Sequence, residues 1–494
     1  MLEILILLPL IFFVIISFIP KSKINLIKKL SLSFSLIIFF YSILILDSLQ
    51  FNIYDYKYYI DISYLINIRY IIGIDFISGL LIVLMTLLIP VCILTNWESV
   101  RYRFKDFTLI LFLLEFLIIN LFVSLDIVFF YFFFEAVLIP MFLMIGIWGS
   151  RQRKIHAVYQ FFFYTFFGSI FMLLALILIY LHVGSTYINY IKFIEFSNNR
   201  QILLWLCFFI AFAIKVPMIP FHIWLPEAHV EAPTSGSILL AGILLKLGTY
   251  GFLRFLIPLF PYGYYYFKPL IFVLCIISII LGSFSTIRQI DLKKIIAYSS
   301  VVHMNFTILG LFTDSLIGLQ GSFFSMISHG VISGSLFFCI GLLYDRYHTR
   351  LLYYYGGLGQ FMPIFSSIFF IFILSNMGFP GTSGFIGEIL ILVSVFNINS
   401  KIGVVICFSM VFASIYSIWL FNRIIFGELK NYNFLIHQKL FFKKWFFKFS
   451  DVTKRETFIL VPMVFLNLLL GIYPNLIFNL VEPNLLSILL DVLK

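Results

Sequence analysis

Residues 211–251 read AFAIKVPMIPFHIWLPEAHVEAPTSGSILLAGILLKLGTYG. Lys215 and Lys246 each lie inside an apolar run, where an ammonium is out of place. An ionised side chain near a bilayer centre costs about 3 kcal/mol on insertion scales, and such residues mark ion or proton paths. Pro217 and Pro220 follow Lys215 at once. Proline lacks the backbone donor a helix needs, so the segment is expected to break beside its own charge. A broken helix next to a lysine, followed by a helix with a second buried lysine, is the pattern of a transporter.

The rest of the chain has the composition of a polytopic membrane protein. It has 494 residues, 62% of them hydrophobic and only 11% charged, with mean hydropathy +1.09. No soluble core requires so much apolar sequence. Heavy use of Ile, Phe, Tyr, Lys and Asn suits an AT-rich genome, an organellar one among them. Cys92, Cys207, Cys275, Cys339 and Cys407 are scattered through apolar runs with no C-x-x-C, so neither zinc nor iron–sulfur ligation is signalled. No G-x-G-x-x-G and no Walker loop occurs. No cofactor or metal is expected in this chain, and any redox chemistry belongs to a partner.

A helix needs about 20 apolar residues to cross a bilayer. That rule predicts an all-α protein of fourteen spans near 2–20, 30–47, 74–96, 107–124, 126–148, 157–182, 202–221, 235–257, 268–287, 293–312, 317–344, 363–397, 402–424 and 457–480. The first span lacks a basic n-region and a cleavage site, so it reads as a retained helix and the protein as one inserted where it is made. Basic residues collect on alternate loops: Lys21 to Lys29, Arg101 to Lys105, Arg151 to Lys154, Arg288 to Lys294, Arg346 and Arg350, and above all the 428–456 loop. The opposite side keeps Lys57, Arg69, Lys192, Arg200, Arg254, Lys268, Lys401 and Lys494. The positive-inside rule then puts both termini on the non-cytoplasmic side. The net charge of +11 is explained by topology and by attraction to anionic lipid, cardiolipin among the candidates, and not by nucleic acid.

The seventh span breaks at 214–220 and the twelfth at Asn376–Glu388, where Gly378, Pro380, Gly381 and Gly384 interrupt the run. Matching interruptions five helices apart point to inverted repeats around a midplane site. The chain is read as one membrane domain: N-terminal helices over 1–106, a first five-helix unit over 107–260, a second over 261–427, and a basic loop with a last helix over 428–494.

Few ionisable residues remain at membrane depth. Glu135 lies mid-span, and Lys215 is its natural partner; the pair could serve a proton relay or simply fix helix packing. Lys246 reads as a relay lysine, or as one that snorkels to water. Glu388 reads as a counterpart carboxylate, or as a cap on the half-helix. His303 and His329 suit a relay near neutral pH and equally suit a satisfied core. Glu115 is a weaker candidate for which a packing role serves as well. His222, Glu227, His229 and Glu231 either line an aqueous entrance or are merely solvated.

The stretch quoted above closely resembles the signature of the proton-pumping membrane subunits of respiratory complex I. The match continues through residues 133–162, 291–305, 328–346 and 378–392 and covers nearly the whole chain. The resemblance implies fourteen helices with inverted five-helix repeats and broken seventh and twelfth helices. It implies that Glu135 and Lys215 form a charged pair, that Lys246 and His329 relay protons, and that Glu388 faces the exit. A carboxylate at 388 resembles one branch of the family; other branches and related cation/proton antiporters carry lysine there. It further implies antiporter-like neighbours, with FMN, iron–sulfur clusters and ubiquinone held by other subunits, in the mitochondrial inner membrane with both termini toward the intermembrane space. Two rival readings are an antiporter subunit without redox chemistry and a structural membrane scaffold. The tyrosine-rich 52–70 and basic 428–456 segments depart from the family pattern.

Overall fold

The computed structural model describes residues 1–49, 60–64, 68–428 and 450–493. Most of the 52–70 segment and of the 428–456 loop, with the contacts expected of them, lies outside the described residues. Every predicted span has a helical counterpart, from Leu2–Phe18 and Ile24–Ser48 at the start to Lys454–Ile472 near the end. The exception to the all-α expectation is a small hairpin. Strands β1 (Ile60–Tyr64) and β2 (Ile68–Ile72) pair antiparallel with Ile60 opposite Ile72. Its backbone also reaches the end of helix Phe104–Val123, where the Leu125 N–H donates to the Ile71 carbonyl at 2.9 Å.

Two helices form the axis of the molecule. Thr234–Leu259 and Leu316–Tyr347 are buried throughout their apolar windows, whereas the outer helices leave much of theirs exposed. A helix that is apolar all round is stable in either place, facing lipid or facing other helices. Small residues decide which. At Gly330, in helix 316–347, an added Cβ would sit 3.2 Å from the Gly242 carbonyl of helix 234–259. At Gly321 it would sit 3.0 Å from the Ile391 nitrogen and 3.1 Å from the Gly387 carbonyl of helix Ser383–Ile398. Helix 316–347 is thus in near-backbone contact with the helices that carry Lys246 and Glu388.

Both expected breaks are present. Helix Asn198–Lys215 stops at Lys215, and the chain re-forms as Trp224–Glu231. The backbone groups freed between them are taken up by side chains, as a dry interior demands. The Trp224 indole donates to the Ile214 carbonyl at 2.9 Å, the Ile219 N–H to Ser278 Oγ at 2.9 Å, and Asn305 Nδ2 to the Pro217 carbonyl at 3.3 Å. The second break separates Pro363–Asn376 from Ser383–Ile398. Gly378 and Gly381 turn the chain there at φ of +71° and +88°, which side chains with a Cβ rarely adopt.

Three local features depart from the sequence-based reading. Helix 234–259 contains two π turns, Leu240–Leu244 and Phe252–Leu256. Arg254, counted among the loop charges, lies in the second turn, is buried, and pairs with Asp75 at 2.9 Å. The last predicted span, 457–480, is cut in two: one helix ends at Ile472 and another runs Asn475–Leu493. Pro474 has no N–H to bond back into the preceding turn, and Tyr473 before it leaves the helical region at φ −126° and ψ 71°, so the helix ends there. The extra helix buries Ile477, Val481, Leu485, Ile488 and Val492, a spacing of three and four residues that makes one apolar stripe. It packs on helix 316–347 and on the 257–259 end of helix 234–259, and Asp491 pairs with Lys192 at 2.7 Å.

Gly321→Leu tests whether the axial contacts are as tight as their geometry implies. Forcing a larger side chain into a close-packed site costs about 1–3 kcal/mol. The variant is expected to aggregate at a lower temperature than wild type when heated in mild detergent. An unchanged transition would show that these helices have room to part.

Candidate functional site

Lys246 is fully buried on helix 234–259. An ammonium there needs acceptors, and the π turn just before it supplies one. In that turn the helical hydrogen-bond pattern is displaced, and the Ala241 carbonyl accepts from Lys246 Nζ at 2.5 Å. The other partner is His329 Nδ1, 2.8 Å from Nζ. His329 stands beside Gly330, so the close approach at Gly330 is what delivers its ring to Lys246. Ser333 Oγ donates to the His329 carbonyl at 2.5 Å one turn later.

The His329 ring lies 5.9 Å, centroid to centroid, from that of His303 on helix Leu292–Leu311. His303 Nδ1 is in turn 2.8 Å from Glu388 Oε1. His303 Nε2 is buried with no protein partner, and a cavity of about 20 Å³ beside it is lined by His303, His329, Glu388, Ser325, Ser328 and Asn376. That space is large enough for one water, and its polar walls offer the two to four partners a water needs. Lys246, His329, His303 and Glu388 therefore form one row across four helices, with 2.8 Å contacts at both ends and a 5.9 Å step between the two imidazole rings.

Lys215 lies on a helix next to the one that carries Lys246. It is the last residue of helix 198–215, is nearly fully buried, and holds its ammonium 4.5 Å from the centre of the Phe134 ring. A desolvated cation over an aromatic face is worth about 2 kcal/mol. Its Cβ would be 3.1 Å from a Cβ placed on Gly248, so Lys215 packs against helix 234–259 two residues from Lys246. Glu135, on helix Ile127–Trp148, interacts electrostatically with Lys215. The pair is not in direct contact, and Glu135 Oε1 is buried with no hydrogen-bond partner.

The remaining candidates separate. Glu115 is fully buried, and neither of its oxygens bonds any other site residue. The polar return after the first break is not a solvated loop. His229 is fully buried and stacked 4.6 Å from Phe337. Glu231 lies 3.8 Å from buried Arg350, which also donates to the Val230 carbonyl. Glu227 pairs with Lys294 at 2.8 Å and Arg153 at 3.7 Å. Lys293, expected in a loop, is buried and donates to the Ala232 carbonyl at 2.8 Å. Sequence reasoning ranked His303 below its place in the row and missed Ser325, Ser328 and Asn376. A serine or asparagine in an apolar helix gives no signal of which cavity it lines.

The family model for the transmembrane part of NADH:quinone oxidoreductase and Mrp antiporter subunits matches residues 124–413. The chain is 50% identical to NADH-ubiquinone oxidoreductase chain 4 of Acanthamoeba castellanii, over 94% of this chain and 92% of that one. It is 54% identical to chain 4 of Chondrus crispus, over 81% and 78% respectively. Among solved structures it superposes on a chain of respiratory complex I from Thermus thermophilus with a TM-score of 0.88, 26% identity and complete coverage of both chains. The protein thus belongs to the NADH:quinone oxidoreductase/Mrp antiporter membrane-subunit family, in its NADH-ubiquinone oxidoreductase chain 4 branch.

Proposed function

We propose that the chain is a core membrane subunit of respiratory complex I that carries protons across the mitochondrial inner membrane, from matrix to intermembrane space. The observation that carries this reading is the buried row Lys246–His329–His303–Glu388, in which two 2.8 Å contacts flank a 5.9 Å step between the imidazole rings. Both termini face the intermembrane space. Residues 107–260 and 261–427 act as two inverted units, the first holding Glu135, Lys215 and Lys246 and the second His303, His329 and Glu388. NADH oxidation and ubiquinone reduction, with FMN and iron–sulfur clusters, take place in other subunits. Neighbouring antiporter-like chains 2 and 5 and anionic lipid such as cardiolipin are its expected partners. Glu115 stays outside the path.

The residues divide the work by charge. An ionised Glu135 attracts the Lys215 ammonium, and a charged Lys215 disfavours a second ammonium on Lys246, which lies on the helix that Lys215 packs against. When Glu135 is neutralised, Lys215 is free to lose its proton and Lys246 to take one. Lys246 then donates to His329 Nδ1, which accepts when its own proton is on Nε2. From His329 the proton crosses the cavity to His303 and passes along the 2.8 Å contact to Glu388. Glu388 alternates between a carboxylate that accepts and an acid that releases toward the exit side.

Lys246→Arg tests the relay. Arginine stays protonated inside proteins, so it can replace the charge without replacing the transfer. In membranes holding equal amounts of assembled complex, proton pumping should fall to about a tenth or less, as when a positioned proton-transfer group is lost. Wild-type pumping would make Lys246 a fixed charge. Copurification of the chain with a complex containing FMN and iron–sulfur clusters tests the subunit assignment itself.

Glu135→Gln and Lys215→Ala test the charged pair. Each alone should slow pumping and NADH-driven quinone reduction together. The double variant should lose less than the sum of the two, because contact through one shared charge is not additive. Additive losses would mean that the two residues act independently.

A further inference from the structure

The second break carries Glu388, and a residue outside both five-helix units holds that break together. Asn467, fully buried on helix Lys454–Ile472, donates from Nδ2 to Ser375 Oγ at 2.5 Å and accepts at Oδ1 from Ser383 Oγ at 2.7 Å. Ser375 lies in the last turn of helix 363–376, and Ser383 is the first residue of helix 383–398. One amide therefore joins the two lips of the interruption. Four residues on, and so on the same helix face, Gly471 lies against the intervening loop: a Cβ there would be 2.4 Å from the Gly381 carbonyl and 2.6 Å from the carbonyl carbon of Thr382.

The loop does not need Asn467 to satisfy its backbone. The Gly378 N–H donates to the Ser375 carbonyl at 3.3 Å, the Phe379 N–H to the Leu374 carbonyl at 3.0 Å, and the Thr382 N–H to the Phe379 carbonyl at 3.2 Å. Ser375 Oγ already donates to the Ile371 carbonyl at 2.7 Å, which leaves its lone pairs for the amide. What Asn467 adds is a fixed separation between two hydroxyls on opposite half-helices. That separation matters for one reason. Ser375, Asn376, Gly384 and Glu388 line the same cavity as His303 and His329, and Glu388 follows Gly384 by one helical turn. A slip of one lip past the other moves the carboxylate relative to His303 Nδ1.

We infer that Asn467 is a positioning residue for proton exit: by tying Ser375 to Ser383 it sets the register of the two half-helices and hence the distance from Glu388 to His303. The inference rests on the proposed path through Glu388. The first break is held differently, with side chains bonded directly to its backbone at Ile219 and Pro217. The second break is thus braced from helix 454–472.

The test uses the assembled complex in membranes carrying Asn467→Leu, Ser383→Ala, both together, Ser383→Thr, or Glu388→Gln. Proton pumping is followed against pH, and the infrared carboxylic-acid band that disappears in Glu388→Gln is followed in the others. Asn467→Leu is expected to displace that band and to shift the pH profile of pumping by about half a unit or more. Ser383→Ala should do the same, and the double variant should shift no further than either alone. Ser383→Thr, which keeps the hydroxyl, should restore the profile lost in Ser383→Ala. If Asn467→Leu prevents assembly, the two Ser383 variants decide the matter. An impaired Glu388→Gln beside an unmoved band and profile in the Asn467 and Ser383 variants overturns the positioning role and leaves the path standing. Undiminished pumping in Glu388→Gln overturns both.

Discussion

The hydrogen bonds of one ammonium organise the molecule. Lys246 has no access to water, so its charge must be met by protein atoms or be given up. One acceptor comes from its own helix, where the π turn Leu240–Leu244 presents the Ala241 carbonyl. The other comes from a neighbouring helix that must approach to near-backbone contact to bring His329 within 2.8 Å. That approach requires Gly242 and Gly330 to face each other. Wholly buried axial helices, small residues at their crossings and a displaced hydrogen-bond register follow from a single buried charge that has to be solvated and still remain mobile.

The two breaks share a position and differ in construction. At the first, Lys215 precedes the interruption and ends its helix, where the carbonyl end of the helix dipole favours a cation. At the second, Glu388 follows the interruption in the second turn of its half-helix, beyond the reach of the dipole at the helix end. Only the lysine therefore sits at a helix end whose partial charge suits it, and Glu388 relies instead on its contact with His303. Between them lie Lys246 and two histidines, groups that can each exist charged or neutral.

Much of this was legible in the sequence because it violates the rules that the surrounding sequence obeys. A lysine, a glutamate or a Pro-Gly cluster inside an apolar run is conspicuous, and Lys215, Lys246, Glu388 and both breaks were found that way. His303 was not separable from a satisfied core histidine, since only the fold shows that Glu388 is 2.8 Å away. The π turns left no trace, because Leu240–Leu244 reads like any other apolar helix. The split at Pro474 was passed over because apolar residues continue beyond it, although the stripe Ile477, Val481, Leu485, Ile488 and Val492 has the period of a helix with one buried face. The β-hairpin was hidden by a segment that departs from the family pattern. His229 and Glu231 looked solvated because polar residues cluster there. Phe337 stacks on His229 and Arg350 lies against Glu231, both from positions distant in sequence.

The proposed relay needs only weak charge coupling across this row to act as a unit. Two unit charges about 10 Å apart interact by roughly 1.7 kcal/mol at an effective dielectric of about 20, a bias of more than tenfold in a protonation equilibrium. In salt water the same pair would be largely screened. A buried row is screened much less, so on the proposed path a change of charge at Glu388 acts on His303, 2.8 Å away, without any large movement of the backbone. The charge on Glu135 acts on Lys215 in the same way from the opposite flank, even though the two do not touch. A contact ion pair there would be strong and slow to open. A pair held apart, as Glu135 and Lys215 are, keeps the influence of each charge on the other while leaving both protons able to move.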